Sequence, residues 1–162
     1  MIIKIAILSD THLRGCRKQF PLIVLDSIKD VDFIIHCGDI LHADVLKELE
    51  KIASVYAVRG NTDKEEGLAL PERLILPIGN IKIGVFHGHG TKGNTVDRAY
   101  EAFQEENVEV ILFGHSHQPF LKTKNGVLMI NPGSPTVKRK EKRYSFAILY
   151  VDTVLRCEFV FF

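Results

Sequence analysis

Five short polar clusters in this sequence contain side chains that bind metal ions, and each cluster follows an apolar run. They are Asp10-Thr11-His12, Gly38-Asp39, Gly60-Asn61-Thr62-Asp63, His87-Gly88-His89 and Gly114-His115-Ser116-His117. Carboxylates and imidazoles suit zinc, manganese, iron and nickel. Because residues two apart on an extended segment share a face, Asp10 with His12, and His115 with His117, are expected to point into one cavity. Each cluster alone is weak evidence, but five in order are hard to explain by packing.

The apolar runs before these clusters are predicted to be buried β-strands, and they cover residues 2–8, 33–36, 55–58, 81–86 and 110–113. Functional groups in open α/β sheets collect just beyond the carboxyl ends of strands. The five strands are therefore expected to deliver carboxylates, an amide and imidazoles to one edge. Glycine next to four of the clusters permits sharp turns and close backbone approach.

The remaining elements follow from helical spacing and from turn residues. Helices are predicted over residues 20–28, 45–52 and 95–106, with Asp44 as the N-cap of the second. Hairpins are predicted across Gly79-Asn80, Asn125-Gly126 and Asp152-Thr153. Alternating helices and strands followed by hairpins indicate an α/β protein in which two sheets pack face to face with helices outside. The runs fit fully buried strands better than half-solvated ones.

Composition is that of an ordinary globular protein. The 162 residues fit one domain, 46% are apolar and 25% are charged, and the formal net charge is +1. This charge gives no global reason to expect a nucleic-acid or membrane partner. Cys16, Cys37 and Cys157 are odd in number and lack CxxC spacing, which argues against disulfides and suits a reducing cytoplasm. No export signal or membrane-length run is present, so a cytoplasmic location is expected.

The ordered clusters resemble the calcineurin-like metallophosphoesterases, whose pattern is Asp-x-His, Gly-Asp, Gly-Asn-His-Asp/Glu, His-Gly and Gly-His-x-His. The match spans residues 10–117. Downstream, Asn131-Pro132-Gly133-Ser134 is similar to a segment of the small, single-domain, YfcE-type phosphodiesterase branch. The resemblance implies a four-layer α/β/β/α sandwich of two mixed sheets, over a single domain at residues 1–162, and hydrolysis of a small phosphodiester.

The resemblance also implies two divalent metal ions per chain and the residues that hold them. Asp10, His12 and His117 would bind the first metal, and Asn61, His87 and His115 the second, while Asp39 would bridge both through its two carboxylate oxygens. Two such ions turn a bridging water into hydroxide near neutral pH and hold the phosphoryl oxygens for in-line attack. The ligand types suit manganese or nickel first, and iron, zinc or magnesium also fit.

One residue departs from the family pattern, because Thr62 stands where many members have histidine after Gly-Asn. A threonine hydroxyl donates a hydrogen bond but cannot act as a histidinium acid. Weaker catalysis on poor leaving groups is therefore predicted, with a preference for activated diesters. His89 is the available substitute donor; a structural histidine is the other interpretation. Asp39, Asn61 and His89 are the residues assigned to catalysis.

Thr62, His42 and Arg14 are the candidate substrate contacts. His42 near a helix start, and Arg14 shortly after the first cluster, also fit ordinary structural or solvated roles. Asp63 is expected to accept hydrogen bonds behind the site, and His36 to be a satisfied buried histidine. The basic run at residues 138–143 fits a polyanion contact, but a solvated loop is the preferred interpretation.

Other functions remain open at this point. The retromer scaffold subunit shares the fold and the Asn-Pro-Gly-Ser segment yet serves as a binding surface, so a non-catalytic scaffold is one alternative. A phosphomonoesterase or a nuclease of the same superfamily is another, although nucleic acid is disfavoured by the charge. The apolar residues 159–162 suit either a homodimer or higher homo-oligomer contact or a final core strand.

Overall fold

Ten strands and three helices form in residues 1–14, 20–64 and 68–162, which the computed structural model describes. In chain order they are β1 (Ile3–Leu8), α1 (Leu22–Ile28), β2 (Phe33–His36), α2 (Ala43–Glu50), β3 (Ser54–Ala57), β4 (Arg73–Ile78), β5 (Ile81–Phe86), α3 (Thr95–Glu101), β6 (Val110–Leu112), β7 (Pro119–Lys124), β8 (Val127–Pro132), β9 (Ser145–Val151) and β10 (Arg156–Phe161).

The strands form two mixed sheets. The first has the order β10-β9-β1-β2-β3, and the second has the order β4-β5-β6-β8-β7. In the first sheet β1, β2 and β3 are parallel, while β9 runs antiparallel to both β1 and β10. In the second sheet β5, β6 and β8 are parallel, and the edge strands β4 and β7 are antiparallel.

Three apolar clusters separate four layers. Ile5 and Ile7 of β1 pack with Ile83 and Val85 of β5 between the two sheets. The alternate residues of β1 pack on the outer face against α1 and α2, where Val24 and Leu49 lie. A third cluster seals α3 against the second sheet through Ala99 and Phe103. Strands buried on both faces read as continuous apolar runs, and the expected α/β/β/α sandwich is confirmed.

The predicted hairpins across Gly79-Asn80 and Asn125-Gly126 are confirmed, since Ile78 pairs with Ile81 and Lys124 pairs with Val127. Asn125 and Gly126 have φ values of 49° and 84°, as a two-residue type I′ turn requires. The last hairpin has a longer loop than predicted, because β10 begins at Arg156. The four edge strands, β3, β4, β7 and β10, are partly exposed rather than fully buried.

Two helix predictions need correction. α3 ends at Glu101, not at residue 106, because Phe103 and Gln104 donate to carbonyls three residues back and form turns. The N-cap of α2 is His42 rather than Asp44, since His42 Nδ1 accepts from the Asp44 N–H at 3.3 Å. Imidazole is an uncommon cap, so the preference for aspartate favoured the neighbouring residue.

Cys37 and Cys157 are free thiols. Cys37 is buried in the cluster between the sheets and Cys157 packs against it, as expected for small apolar residues. Cys16 lies outside the described residues. Within the described ranges, no helix is both long and apolar enough to cross a membrane.

Candidate metal centre

The polar clusters meet where five strands end. The Asp10 N–H donates to Gly38 O, and the Gly114 N–H donates to His87 O, both at 3.0 Å, so loops within each sheet are joined. The clusters after β1, β2 and β3 come from the first sheet, and those after β5 and β6 come from the second. The candidate site therefore lies at an edge that both sheets share.

Asp10, His12 and His117 form the first group of converging ligand atoms. His117 Nε2 lies 3.3 Å from Asp10 Oδ1 and 3.3 Å from His12 Nε2. His12 Nε2 lies 3.9 Å from Asp10 Oδ1. Atoms bound at about 2.1 Å to one ion, at ordinary coordination angles, are themselves about 3.0–3.4 Å apart. The three side chains expected to hold one metal are thus close to the required spacing.

Asp10, Asp39 and His87 form the second group. His87 Nε2 lies 3.3 Å from Asp39 Oδ2 and 3.8 Å from Asp10 Oδ1. Asp39 Oδ2 is also 3.5 Å from His12 Nε2, so one oxygen faces both groups. The other oxygen accepts the Thr62 N–H at 3.0 Å. A carboxylate oxygen that accepts one N–H keeps a second lone pair, so bridging of two metals through both Asp39 oxygens stays a prediction.

Asn61 and His115 lie at the outer side of the second group. His115 Nδ1 is 3.1 Å from Asn61 Oδ1, and the His115 ring meets the His87 ring edge-on at 5.2 Å. Asn61 is exposed, whereas His87 is buried. Asn61 and His115 therefore face solvent on one side and the buried ligands on the other.

Residues 10–12 and 115–117 are not extended, so the alternation of an extended strand does not account for the directions of Asp10 and His12, or of His115 and His117. All four have positive φ, between 44° and 67°, and Asp39 has φ 56°. Aspartate and histidine are among the side chains enriched in this left-handed region. His12 and Asp10 do converge, but His117 and His115 turn to different groups because the backbone coils between them.

Glycine is required at two positions by close approach. A Cβ on Gly60 would lie 2.1 Å from Asp39 Oδ1, and a Cβ on Gly114 would lie 1.8 Å from Ser9 Oγ. Neither contact is tolerable for a real side chain. Gly60 and Gly114 therefore permit the close approach that brings Asp39 and Asp10 into place.

Asp63 supports the loop that carries Asp39, as expected. Its Oδ1 accepts the N–H groups of Ile40 and Leu41 at 2.7 and 2.8 Å. Its Oδ2 accepts those of Asp39 and Gly60 at 2.9 and 2.8 Å. One buried carboxylate thus joins the loops after β2 and β3.

The Asn131-to-Ser134 segment supports the other loops. Asn131 Nδ2 donates to Gly114 O at 2.9 Å and to Ser116 Oγ at 3.0 Å. Ser134 Oγ donates to Asp10 O at 2.8 Å. Both Asn131 and Ser134 are buried, so they position the ligand loops rather than line an open edge.

Hydrogen bonds at the far side of two ligand rings orient them. His87 Nδ1 lies 2.7 Å from Cys37 O, and His117 Nδ1 contacts Val137 O. When Nδ1 donates to these carbonyls, Nε2 carries the lone pair and faces the ligand cluster. Sequence reasoning missed Val137, because carbonyl acceptors leave no signal in residue type.

His36 is a satisfied buried histidine, as predicted. Its Nδ1 accepts from the Gly38 N–H at 3.2 Å, and its Nε2 lies 3.0 Å from Thr11 Oγ1. Burial is the largest influence and lowers the pKa of His36 to about 4. The ring is therefore neutral at physiological pH.

Most imidazoles of the proposed ligands are also held neutral. Burial is the largest effect on His115 and His117 and lowers the pKa of each to about 4. The pKa of His12 is lowered for the same reason. Neutral imidazole is the form that binds metals, so these rings are ready to act as ligands at neutral pH.

The buried carboxylates and His87 are coupled. Burial raises the pKa of Asp10 to about 6, against the opposing charge of His87. Burial also acts to raise the pKa of Asp39, but contacts with His87 and with the Thr62 N–H lower it overall. Burial lowers the pKa of His87, yet its contact with Asp39 and the two negative charges raise it on balance. Burial and these contacts thus act in opposite directions on the pKa of each of the three side chains.

Two buried polar atoms in this cluster indicate that a cation fits between the side chains. Asp10 Oδ1 and His87 Nε2 have no hydrogen-bond partner among the described residues. The 3.3 Å contact of His87 Nε2 with Asp39 Oδ2 is near enough for an ion pair but misdirected for a hydrogen bond. Buried polar atoms without partners are costly. A divalent cation between them would satisfy both, so the donor set fits a metal.

The remaining candidate residues, Thr62, His89, Arg14 and His42, have different surroundings. Thr62 Oγ1 and His89 Nδ1 are buried without hydrogen-bond partners in the described ranges. His89 Nε2 lies 3.6 Å from Glu72 Oε1, and burial lowers the pKa of His89. Arg14 is exposed, and His42 caps α2.

Comparison with known proteins is consistent with this geometry. The sequence matches the calcineurin-like phosphoesterase superfamily domain over residues 3–154. A "probable metallophosphoesterase" of Methanocaldococcus jannaschii is 42% identical over 137 residues, covering 83% of this chain and 69% of the relative. A protein of the same organism named as a phosphodiesterase is 30% identical over 145 residues, covering 80% of this chain and 82% of the relative.

Among solved structures, Vps29 from Chaetomium thermophilum has a TM-score of 0.81 at 18% identity, covering 99% of this chain and 98% of that one. At this identity the likeness concerns the fold. The family assignment rests instead on the sequence match and on the similar proteins. The chain belongs to the calcineurin-like phosphoesterase superfamily.

Proposed function

We propose that this protein is a metal-dependent phosphodiesterase with two divalent cations, most readily manganese or nickel, at the candidate metal centre. The observation that carries the proposal is a buried pair of atoms, Asp10 Oδ1 and His87 Nε2, that lack hydrogen-bond partners in the described part of the chain. They lie beside Asp39 Oδ2, which faces both groups of proposed ligands. Buried polar atoms without partners cost free energy, and a bound cation would remove that cost. The superfamily supports phosphoester hydrolysis as the reaction.

The seven proposed ligands divide between the two ions. Asp10, His12 and His117 would hold one, and His87, His115 and Asn61 would hold the other, with Asp39 shared. When bound, the ions supply Lewis acidity, which stabilises charge on the phosphoryl oxygens and makes water a nucleophile near neutral pH.

Other residues determine which esters are cleaved well. Thr62 Oγ1 and His89 Nδ1 have no hydrogen-bond partner among the described residues, and both residues adjoin proposed ligands, so we assign them to contacts with a bound ester. Neither residue is a strong acid at neutral pH, because a threonine hydroxyl does not ionise in this range and burial lowers the pKa of His89. Good leaving groups need no protonation, so activated diesters are the preferred substrates. The relative named as a phosphodiesterase supports the diester class.

Metal analysis and a substrate panel test the proposal. Purified protein should bind about two manganese or nickel ions per chain and hydrolyse bis(p-nitrophenyl) phosphate faster than p-nitrophenyl phosphate. Asp39→Asn should reduce both metals together and lower kcat/KM by about a thousandfold, because it removes charge next to both sites. Asp152→Asn, an exposed loop carboxylate, is the control.

The outcomes separate the enzyme from a binding scaffold of the same fold. Metal-loaded protein without turnover on any activated diester or monoester, with wild type and Asp39→Asn equally inert, would favour the scaffold. A faster monoester reaction would instead place the protein with phosphomonoesterases. Salt-sensitive binding and cleavage of DNA would indicate a nuclease.

A further inference from the structure

A groove of about 560 Å³ opens beside His12. Its apolar lining consists of Leu13, Pro21, Pro135, Val137, Tyr144 and Phe162. His12 belongs both to this groove and to the candidate metal centre, where its Nε2 lies 3.5 Å from Asp39 Oδ2. A phosphate ester bound at the metal centre could therefore place an organic substituent over His12 into the groove.

One wall of the groove is aromatic and held by backbone pairing. Tyr144 and Phe162 exchange two backbone hydrogen bonds, of 3.0 and 3.1 Å. Their rings stack with centroids 5.7 Å apart and planes at 29°. Rigid aromatic surfaces bind other aromatic groups at little conformational cost. The groove is thus suited to a planar, uncharged substituent.

The loop that forms another wall is tied to the metal centre. Ser134 Oγ accepts the Val137 N–H at 2.8 Å and donates to Asp10 O at 2.8 Å. Thr136 Oγ1 donates to Thr11 O at 2.5 Å. These bonds hold the groove wall and the ligand loop as one unit, so their relative position is set before substrate binds.

Arg139 extends from this loop and differs from its basic neighbours. Its side chain is exposed and its φ is 51°. Val137, two residues earlier, contacts the His117 ring through its backbone carbonyl, so Arg139 lies on a loop that touches the metal centre. Lys138 Nζ instead donates to Glu141 O at 3.2 Å. The guanidinium of Arg143 lies 5.5 Å from the Phe161 ring. The basic run is therefore not uniformly a solvated loop remote from the site, because Arg139 is two residues from a backbone contact with His117.

We propose that the groove and Arg139 form the substrate-recognition subsite. The groove takes an aromatic ester substituent, and Arg139 contacts an anionic oxygen of the phosphate, which a guanidinium matches in geometry and charge. This inference rests on the proposed function, since it needs a phosphate ester at the metal centre. It narrows the substrate class to phosphate esters of aromatic-bearing alcohols, with a nucleoside as one such alcohol.

Calorimetric binding of two product-like esters separates the groove from the metal centre. Phenyl phosphate and methyl phosphate carry the same anion, so their affinity ratio for manganese-loaded protein measures the groove alone. We expect phenyl phosphate to bind about tenfold more tightly. Tyr144→Leu, which keeps an apolar side chain for packing, should reduce the ratio to about threefold or less. Tyr56→Leu, at an exposed aromatic on β3, should leave the ratio unchanged.

The role of Arg139 is tested by removing its charge and comparing the effect with removal of a charge elsewhere in the same loop. Asparagine tolerates positive φ, so Arg139→Asn removes the charge without adding backbone strain. It should weaken both esters by about tenfold and preserve their ratio. Lys142→Asn, an exposed neighbour with the same charge change, should alter either affinity by less than about twofold.

Each outcome decides between the proposals. Equal wild-type affinities for the two esters, or equal effects of Arg139→Asn and Lys142→Asn, would overturn the subsite. If bis(p-nitrophenyl) phosphate is still hydrolysed in that case, the proposed function stands. Failure of metal-loaded protein to bind or hydrolyse any ester would overturn the subsite and the proposed function together.

Discussion

Left-handed backbone conformations are concentrated at the proposed ligands. Asp10, His12, Asp39, His115 and His117 all have positive φ. Such conformations cost free energy in side-chain-bearing residues and persist only where neighbouring structure enforces them. Here Asp63 and Ser134 and the close approach at Gly60 provide that support. The backbone therefore holds the side chains in place before any ion binds, which favours tight binding because little ordering remains to be done.

At the same scale, Asp10 should destabilise the metal-free fold at neutral pH. Its pKa rises from 3.8 to about 6 on folding. Between these values the folded state binds more protons than the unfolded state, so the free energy of unfolding falls as pH rises through this window. We expect Asp10→Asn to stabilise EDTA-treated protein at pH 7.5 by up to about 3 kcal/mol, with little effect at pH 4.

Urea unfolding of both proteins across this pH range measures the effect. Asparagine suits the site sterically, because its oxygen can accept the Ser9 and His115 donors that Asp10 Oδ2 now serves. Asp152→Asn is the exposed control. A variant no more stable than wild type at pH 7.5 would contradict a raised Asp10 pKa.

At the scale of elements, the loops after β2 and β3 are joined by one carboxylate. Asp63 accepts four backbone N–H groups from residues 39–41 and 60. Asp63→Ala leaves these donors without an acceptor, so we expect a loss of about 3 kcal/mol in unfolding free energy. Metal affinity should fall at least about tenfold, because Asp39 would no longer be held in place.

Urea denaturation and metal titration of the same variant provide the two measurements. Asp63→Asn keeps one of the two acceptor oxygens and should be intermediate in both. If Asp63→Ala loses stability but binds metal like wild type, the loop connection is structural and does not position Asp39.

At the scale of the whole molecule, bound metals would connect the two sheets. Asp10 and Asp39 follow strands of the first sheet, while His87 and His117 follow strands of the second. Each ion would have ligands from both sheets, so it would bind the folded state and not the unfolded chain. At a metal concentration about a hundred times Kd this linkage is worth about 3 kcal/mol, which for a chain of this length raises Tm by about 6–12 °C.

Calorimetric melting with excess manganese and with EDTA tests this linkage. The His117→Ala variant, which lacks one proposed ligand from the second sheet, should show a much smaller difference between the two conditions. Equal Tm values for wild type with manganese and with EDTA would argue against a cation bridging the sheets.

Much of the architecture was predictable from local patterns. Buried parallel strands such as β1 and β2 read as continuous apolar runs, and Asn125-Gly126 specifies a tight turn. The end of α3 was not predictable, since Phe103 keeps helical spacing while its backbone forms turns that tertiary packing selects. The cap of α2 was also missed, because His42 is a weak cap by type.

The sequence by itself determined which residue types reach the shared edge. Local spacing predicts the succession of strands along the chain and the polar residues that follow each strand. Only the tertiary structure decided how they group: Asp39 presents one oxygen to both ligand groups, and His115 and His117 turn apart. Backbone φ, carbonyl acceptors such as Val137 O, and the contact of the loop before Arg139 with the His117 ring depend on residues far apart in the chain. Such contacts leave no periodic signal, so the metal centre was predictable in composition but not in geometry.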